Sequence, residues 1–100
     1  MQADLKSFAA NGVYGTCAVT VITSQNTFGV REVKELPVDL IESQIDAIMT
    51  DIGANAIKTG MLSSSEIIVC VSDKIREYGV ENFVVDPVMK AKGGANLINE

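Results

Sequence analysis

The stretch FVVDPVMKAKGG, residues 83–94, decides the fold. Its first three residues are aromatic or β-branched, which predicts a short strand buried on both faces of a parallel sheet. Proline cannot donate a hydrogen bond to a neighbouring strand, so Pro87 ends this strand and leaves Asp86 at its carboxyl end. Ligands of open α/β sheets bind in the crevice outside those ends. We therefore predict that Asp86 contacts an ion, a phosphate or a hydroxyl group.

The residues that follow Asp86 also suit an anion. Lys90 and Lys92 supply two cations, and the Gly93-Gly94 pair is flexible enough to bring backbone amides close to a phosphate. The alternative is an Asp-Pro turn followed by a solvated basic loop, because Asp and Pro dominate turns for purely conformational reasons. This stretch taken alone leaves both interpretations open.

Two upstream segments predict helices that pack on the sheet. Each carries apolar residues at helical spacing, opens on an acid-containing capping box and closes at a glycine. The first covers residues 39–52, with the pair Asp39 and Glu42 before Gly53, and the second runs from the pair Ser63 and Glu66 to Gly79.

Three further segments predict strands. Residues 16–23 (TCAVTVIT) have the composition of a central strand that polar turn formers then end, 29–35 suggest a half-exposed edge strand, and 56–60 form a strand ending at Gly60-Met61. With a short helix over residues 2–11, the alternation of strands and helices predicts an α/β fold of three αβα layers with a mostly parallel sheet.

This order places three strand ends at one edge of the sheet. They carry Gln25-Asn26, Gly60-Met61 and Asp86, and the helix over residues 2–11 brings Asp4 close to them. Each has a plainer interpretation: Gln25 can be a turn amide, Met61 a core filler and Asp4 a charge that offsets a helix dipole.

The composition limits the functional classes. The chain has 100 residues, 47% hydrophobic and 21% charged, which describes one globular unit or part of a larger domain. A net charge of −5 without a basic patch argues against nucleic acid as a partner. No apolar stretch is long enough for a bilayer and no signal peptide opens the chain, so we expect no membrane partner and a cytoplasmic protein.

Histidine and cysteine chemistry is restricted in the same way. The chain has no histidine, which excludes histidine acid-base chemistry and the usual zinc sites within these residues. Cys17 and Cys70 lie in apolar contexts without metal-ligand spacing, and we predict two buried free thiols.

Four motifs together carry a family resemblance. MQADLKSFAANGVYG, VITSQNTFGV, AIKTGMLSSSEIIVCVSDKI and VVDPVMKAKGGANLI closely resemble, in order and spacing, the hydroxymethylpyrimidine and phosphomethylpyrimidine kinases of thiamine synthesis. The resemblance covers essentially the whole chain. It implies a ribokinase-like fold, ATP with magnesium as cofactors, and phosphorylation of 4-amino-5-hydroxymethyl-2-methylpyrimidine (hereafter the aminopyrimidine) and then of its monophosphate. A homo-oligomer is the expected assembly.

The resemblance also implies roles for individual residues. Asp4 would meet the hydroxymethyl group of the substrate, and Gln25, with Thr23 just before it, would bond the edge of the ring. Met61 and Val88 would be walls of the ring pocket. Asp86 would lie near the ATP phosphates and bind their magnesium. A mobile flap would comprise Lys90, Lys92, Gly93 and Gly94, although the family usually has Ser-Gly at the last two positions.

The resemblance further implies what these residues lack. The family has a first strand before QADLK, and later a nucleotide-binding half and a GTGC-like loop that acts at the transferred phosphate. Residues 1–100 are therefore expected to be the substrate side of a partial kinase domain, without a catalytic residue of their own. Neither Cys17 nor Cys70 stands in such a loop. A pyridoxal kinase and a ligand-binding module without catalysis remain as alternatives.

Overall fold

The structure is a computed structural model that describes residues 1–87. In chain order its elements are α1 (Gln2–Ala10), β1 (Val21–Asn26), β2 (Gly29–Glu35), α2 (Val38–Met49), β3 (Ile57–Thr59), α3 (Ser65–Glu77) and β4 (Phe83–Val85). Five residues for which the sequence predicts a site role lie outside the described range: Val88, Lys90, Lys92, Gly93 and Gly94.

The unit β3–α3–β4 forms the parallel part of the fold. Ile57 of β3 pairs with Phe83 of β4 and Thr59 pairs with Val85, and α3 connects the two strands. This confirms both predicted strands. The prediction that β4 is buried on both faces is wrong, because its three residues are 50–63% exposed. Within the described residues β4 pairs with β3 alone, in a two-stranded sheet.

The strands β1 and β2 form an antiparallel hairpin, so β1 is not part of the parallel sheet, whereas β2 confirms the strand predicted over residues 29–35. Asn26 pairs with Gly29, so two residues make the turn, and the register shifts between Ser24 and Gln25. The prediction of a strand over residues 16–23 with a polar end is therefore wrong: the strand begins at Val21 and includes the polar residues up to Asn26. A half-exposed hairpin accepts polar side chains because its stabilising bonds are made by the backbone.

The core lies between α2 and α3. The apolar stripes of the two helices meet there and bury four side chains: Ile41, Ile67, Cys70 and Val71. Both helices confirm the predicted amphipathic segments. Cys70 is a buried free thiol as expected, whereas the prediction for Cys17 is wrong, because Cys17 lies exposed in the irregular segment before β1.

The ends of the helices differ from the predicted capping boxes. Pro37 precedes α2, and the Asp39 carboxylate accepts the Leu40 N–H instead of closing a box with Glu42. Ser64 caps α3, accepting the Ile67 N–H on Oγ at 3.3 Å. A run of three serines does not specify by pattern alone which one becomes the cap.

Candidate active site

Lys58 lies between the two acids for which the sequence predicts a site role. Its Nζ donates to both carboxylate oxygens of Asp4, at 3.1 Å from Oδ1 and 2.9 Å from Oδ2. The same Nζ lies 3.8 Å from Oδ2 of Asp86. Asp4, Lys58 and Asp86 therefore form one charged cluster, hereafter the Asp–Lys–Asp cluster.

The parallel sheet brings Lys58 and Asp86 together. Lys58 is the central residue of β3, and Asp86 directly follows β4, the neighbouring strand. The Asp86 N–H donates to the Thr59 carbonyl at 2.9 Å, which extends the backbone ladder by one bond and fixes the position of Asp86. Asp86 thus lies at the carboxyl end of β4, where ligands of α/β sheets bind, and the Lys58 side chain comes within 3.8 Å of it from the middle of β3.

The third member comes from α1, whose first turn carries Asp4. The segment after α1 packs tightly on this helix at Gly15. A Cβ there would lie 2.8 Å from Leu5 Cδ2 and 2.9 Å from Phe8 Cδ2, so a larger residue would displace one side of the contact. Gly15 therefore allows the segment after α1 to pack against Leu5 and Phe8 of this helix.

Lys58 also determines the electrostatics of Asp4. The hydrogen bond from its ammonium is the largest cause of a pKa of Asp4 below the ordinary value, and partial burial opposes this effect. Asp4 is therefore a carboxylate at neutral pH. An ionised carboxylate accepts hydrogen bonds only, and each oxygen keeps a free lone pair after bonding Lys58, so Asp4 can still accept a bond from a substrate hydroxyl.

The residues predicted to bind the pyrimidine ring do not all lie at this sheet edge. Gln25 is exposed on β1, next to the turn of the hairpin, and Thr23 Oγ1 lies 3.5 Å from its Oε1. Met61 is half-buried just after β3. The expectation of three strand ends along one sheet is thus wrong for Gln25, because the hairpin and the β3–β4 pair are separate two-stranded sheets.

Three side-chain contacts tie the hairpin to the rest of the fold. The Gln44 amide of α2 donates to the Val19 carbonyl and accepts the Val19 N–H, both at 2.8 Å. Thr20 Oγ1 donates to the Met61 carbonyl at 3.3 Å. Buried Ser63 donates to Glu35 Oε1 at 2.8 Å. The hairpin that carries Gln25 is therefore held by α2 and by the loop between β3 and α3.

Lys58 is not among the residues for which the sequence predicts a site role. The sequence does contain a signal for it, because a lysine in the middle of a short, partly buried strand requires a partner for its charge. In the structure, a Cβ at Gly60 would lie 3.5 Å from Lys58 Nζ, which is ordinary van der Waals contact.

The side chains available as metal ligands bear on the expectation that Asp86 binds magnesium. No cluster of three or more His, Cys, Asp or Glu side chains able to hold a metal occurs within residues 1–87. Mg²⁺ usually binds one or two carboxylates together with water and substrate phosphates, so a single exposed carboxylate such as Asp86 fits such a shared site.

Of the helices in the described part of the chain, none has the length and apolar character needed to cross a membrane.

The fold and its structural neighbours place the chain in the ribokinase-like class of α/β kinases. The chain belongs to the phosphomethylpyrimidine kinase family, because the family model with that description matches residues 1–100. It is 47% identical over 100 residues to the hydroxymethylpyrimidine/phosphomethylpyrimidine kinase of Bacillus subtilis (strain 168), covering 100% of this chain and 37% of that protein.

Solved structures agree with this assignment. The crystal structure of phosphomethylpyrimidine kinase from Clostridium difficile 630 matches with a TM-score of 0.89 at 46% identity, over 98% of this chain and 42% of that one. Pyridoxal kinase from Staphylococcus aureus in complex with pyridoxal matches with a TM-score of 0.82 at 40% identity, over 93% and 35% of the two chains. The same kinase has also been solved with ADP and with AMP-PCP.

Proposed function

We propose that the full-length protein phosphorylates the aminopyrimidine, and then its monophosphate, with ATP. The observation that carries this proposal is the Asp–Lys–Asp cluster beside the carboxyl end of β4, in a chain that belongs to the phosphomethylpyrimidine kinase family. A phosphoryl-transfer site needs an acceptor for the attacking hydroxyl beside a cation-binding acid, and these two groups lie on either side of Lys58.

The substrate side of the proposed site comprises Asp4 and the ring-binding residues. The Asp4 carboxylate accepts a hydrogen bond from the hydroxymethyl group and orients its oxygen for attack. The Gln25 carboxamide matches the donor and acceptor edge of an aminopyrimidine, with Thr23 beside it, because one amide offers both kinds of group. Met61 and Val88 cover the flat ring with apolar surface.

The phosphate side comprises Asp86 and the proposed flap. The Asp86 side chain is 55% exposed, which leaves its oxygens accessible to a hydrated cation. Magnesium bound there would neutralise charge on the transferring phosphoryl group. In this proposal Lys90, Lys92, Gly93 and Gly94 form a flap over the phosphates, with two cations and a flexible backbone.

The chain spans 37% of the Bacillus subtilis relative, and this has consequences for the activity of residues 1–100. We propose that they form the substrate-side part of one ribokinase-like domain, and that further residues complete the nucleotide site and supply the donors that stabilise the transferred phosphoryl. A cytoplasmic homo-oligomer is part of the same proposal.

Pyridoxal is the second candidate substrate. The match to pyridoxal kinase of Staphylococcus aureus, at 40% identity and a TM-score of 0.82, favours it. Pyridoxal is also a flat heteroaromatic ring with a hydroxymethyl group, so the same carboxylate could accept its hydroxyl. The motifs QADLK and SQN favour the aminopyrimidine.

A substrate panel on the purified full-length protein tests the proposal. ATP, magnesium and one of three acceptors (the aminopyrimidine, its monophosphate or pyridoxal) are combined, and the product is measured by mass spectrometry. We expect both pyrimidines to be phosphorylated with a kcat/KM at least about tenfold above that for pyridoxal, a difference of about 1.4 kcal/mol. Preference for pyridoxal would establish the alternative, and no turnover of any acceptor would favour a binding module without catalysis.

A further inference from the structure

Lys58 carries an inference that goes beyond the substrate and the reaction. We propose that Lys58 is a positioning residue of the phosphoryl-transfer site, which holds the Asp4 carboxylate toward the substrate hydroxyl and lets Asp4 and Asp86 lie close together. The inference deepens the proposed function and rests on it.

The two contacts of Lys58 are unequal. Both oxygens of Asp4 lie within hydrogen-bonding distance of Nζ, whereas the Asp86 oxygen at 3.8 Å is beyond it. Lys58 therefore fixes the orientation of Asp4 and acts on Asp86 only through its charge. That division suits the proposed roles, because Asp4 has to be aimed at one hydroxyl while Asp86 keeps its oxygens for a cation.

The repulsion between the two carboxylates gives a second reason for a cation at this position. Asp4 of α1 and Asp86 after β4 both lie near Lys58 of strand β3, and two acids this close destabilise each other unless a positive charge lies between them. Lys58 supplies that charge from the strand itself, and its side chain is only 27% exposed, so water screens the interaction incompletely. In the described residues the Asp4 carboxylate contacts Lys58 from β3 and, at 3.6 Å, the nitrogen of Met1, while Asp86 after β4 contacts the same Lys58.

A kinetic double-mutant cycle in the full-length protein tests this role. Lys58→Met keeps an unbranched side chain without the charge. We expect it to lower kcat/KM for the acceptor by about 10- to 100-fold, the cost of a misplaced catalytic group, while the KM for ATP changes less than about threefold. In an Asp4→Asn background the same change should cost less than about threefold, because both act through one carboxylate.

Two further variants separate positioning from general stability. Lys58→Arg keeps a cation that forms hydrogen bonds with carboxylates, so its kcat/KM should be close to that of the wild type. Lys74→Met is the matched control, because Lys74 is also a half-buried lysine with two acid partners, Asp46 and Glu77, but it lies on α3 away from the cluster. It should lower Tm and leave kcat/KM within about twofold of wild type. If Lys58→Met does not fold, Lys58→Gln replaces it in the cycle.

The outcomes distinguish this inference from the proposed function. An unchanged kcat/KM in Lys58→Met, or an equal loss in both backgrounds, overturns the positioning role. The cycle is run with every acceptor that the wild type phosphorylates. If pyridoxal is the only such acceptor, the proposed substrate is wrong, but the cycle still tests the role of Lys58. A wild-type protein that phosphorylates none of the three overturns both.

Discussion

Replacing Gln44 by leucine should destabilise the protein and loosen the hairpin. Gln44 lies on α2, and its amide makes two hydrogen bonds of 2.8 Å with the backbone of Val19, two residues before β1. A partly buried glutamine that bonds both the N–H and the C=O of one residue satisfies both backbone groups, as a residue of a neighbouring strand would. Leucine has nearly the same volume but can make neither bond.

The structure sets the size of the effect. Each lost bond is worth about 0.5 to 1.5 kcal/mol, and a backbone group left buried and unpaired costs about 1 to 3 kcal/mol. Val19 is half-buried, so water replaces part of the lost bonding. We expect Gln44→Leu to lower the free energy of unfolding by about 2 to 4 kcal/mol. Gln44→Glu keeps the acceptor for the Val19 N–H but turns a carboxylate oxygen toward the Val19 carbonyl oxygen, and should cost at least as much.

Urea denaturation of the full-length protein, followed by circular dichroism, measures these changes as shifts in the midpoint at constant slope. Gln2→Leu is the matched control, because Gln2 is exposed on α1 and its substitution should stay within about 0.5 kcal/mol of wild type. Since the hairpin carries Gln25, Gln44→Leu should also raise the KM for the pyrimidine. If Gln44→Leu is as stable as the Gln2→Leu control, the two bonds to Val19 contribute no net stability and our account of the hairpin anchor is refuted.

Three other changes test the site and the fold. Because Gln25 is exposed, the Gln25→Leu variant should fold normally. It should lower kcat/KM for the pyrimidine about ten- to a hundredfold and change the KM for ATP little. A raised KM for ATP, together with normal pyrimidine binding by calorimetry, would contradict this. The hydrogen bond from Lys74 lowers the pKa of Asp46, so the stability it contributes is present above about pH 4 and is lost as pH falls through the lowered value. Asp46→Asn, unlike a control Asp51→Asn, should therefore flatten the decline of the unfolding free energy as pH falls below about 4, measured by urea titration at each pH. Isolated residues 1–100 should show no ATP turnover above a boiled control. They should also associate with one another through the exposed strand β4, and a monodisperse monomer in light scattering would contradict that association.

Local signals in the sequence were sufficient for most of the elements. The helices α2 and α3 follow from apolar residues at helical spacing, β3 from the β-branched residues on either side of Lys58 before Gly60, and β4 from a short apolar run that Pro87 ends. These patterns depend on neighbours within a few residues, so they are readable without knowledge of the tertiary structure. The position of Asp86 at a strand end follows from the same local evidence.

The pairing of the strands and the partners of the charges depended on the tertiary structure. The residues of β1 could equally have formed a parallel strand, and only their pairing with β2 makes a hairpin and moves Gln25 off the parallel sheet. Lys58 and Asp4 lie 54 positions apart in the sequence, and no local pattern links them. The tertiary structure brings the first turn of α1 to the lysine in the middle of β3, and a charge pair forms only where two side chains come within a few ångströms of each other.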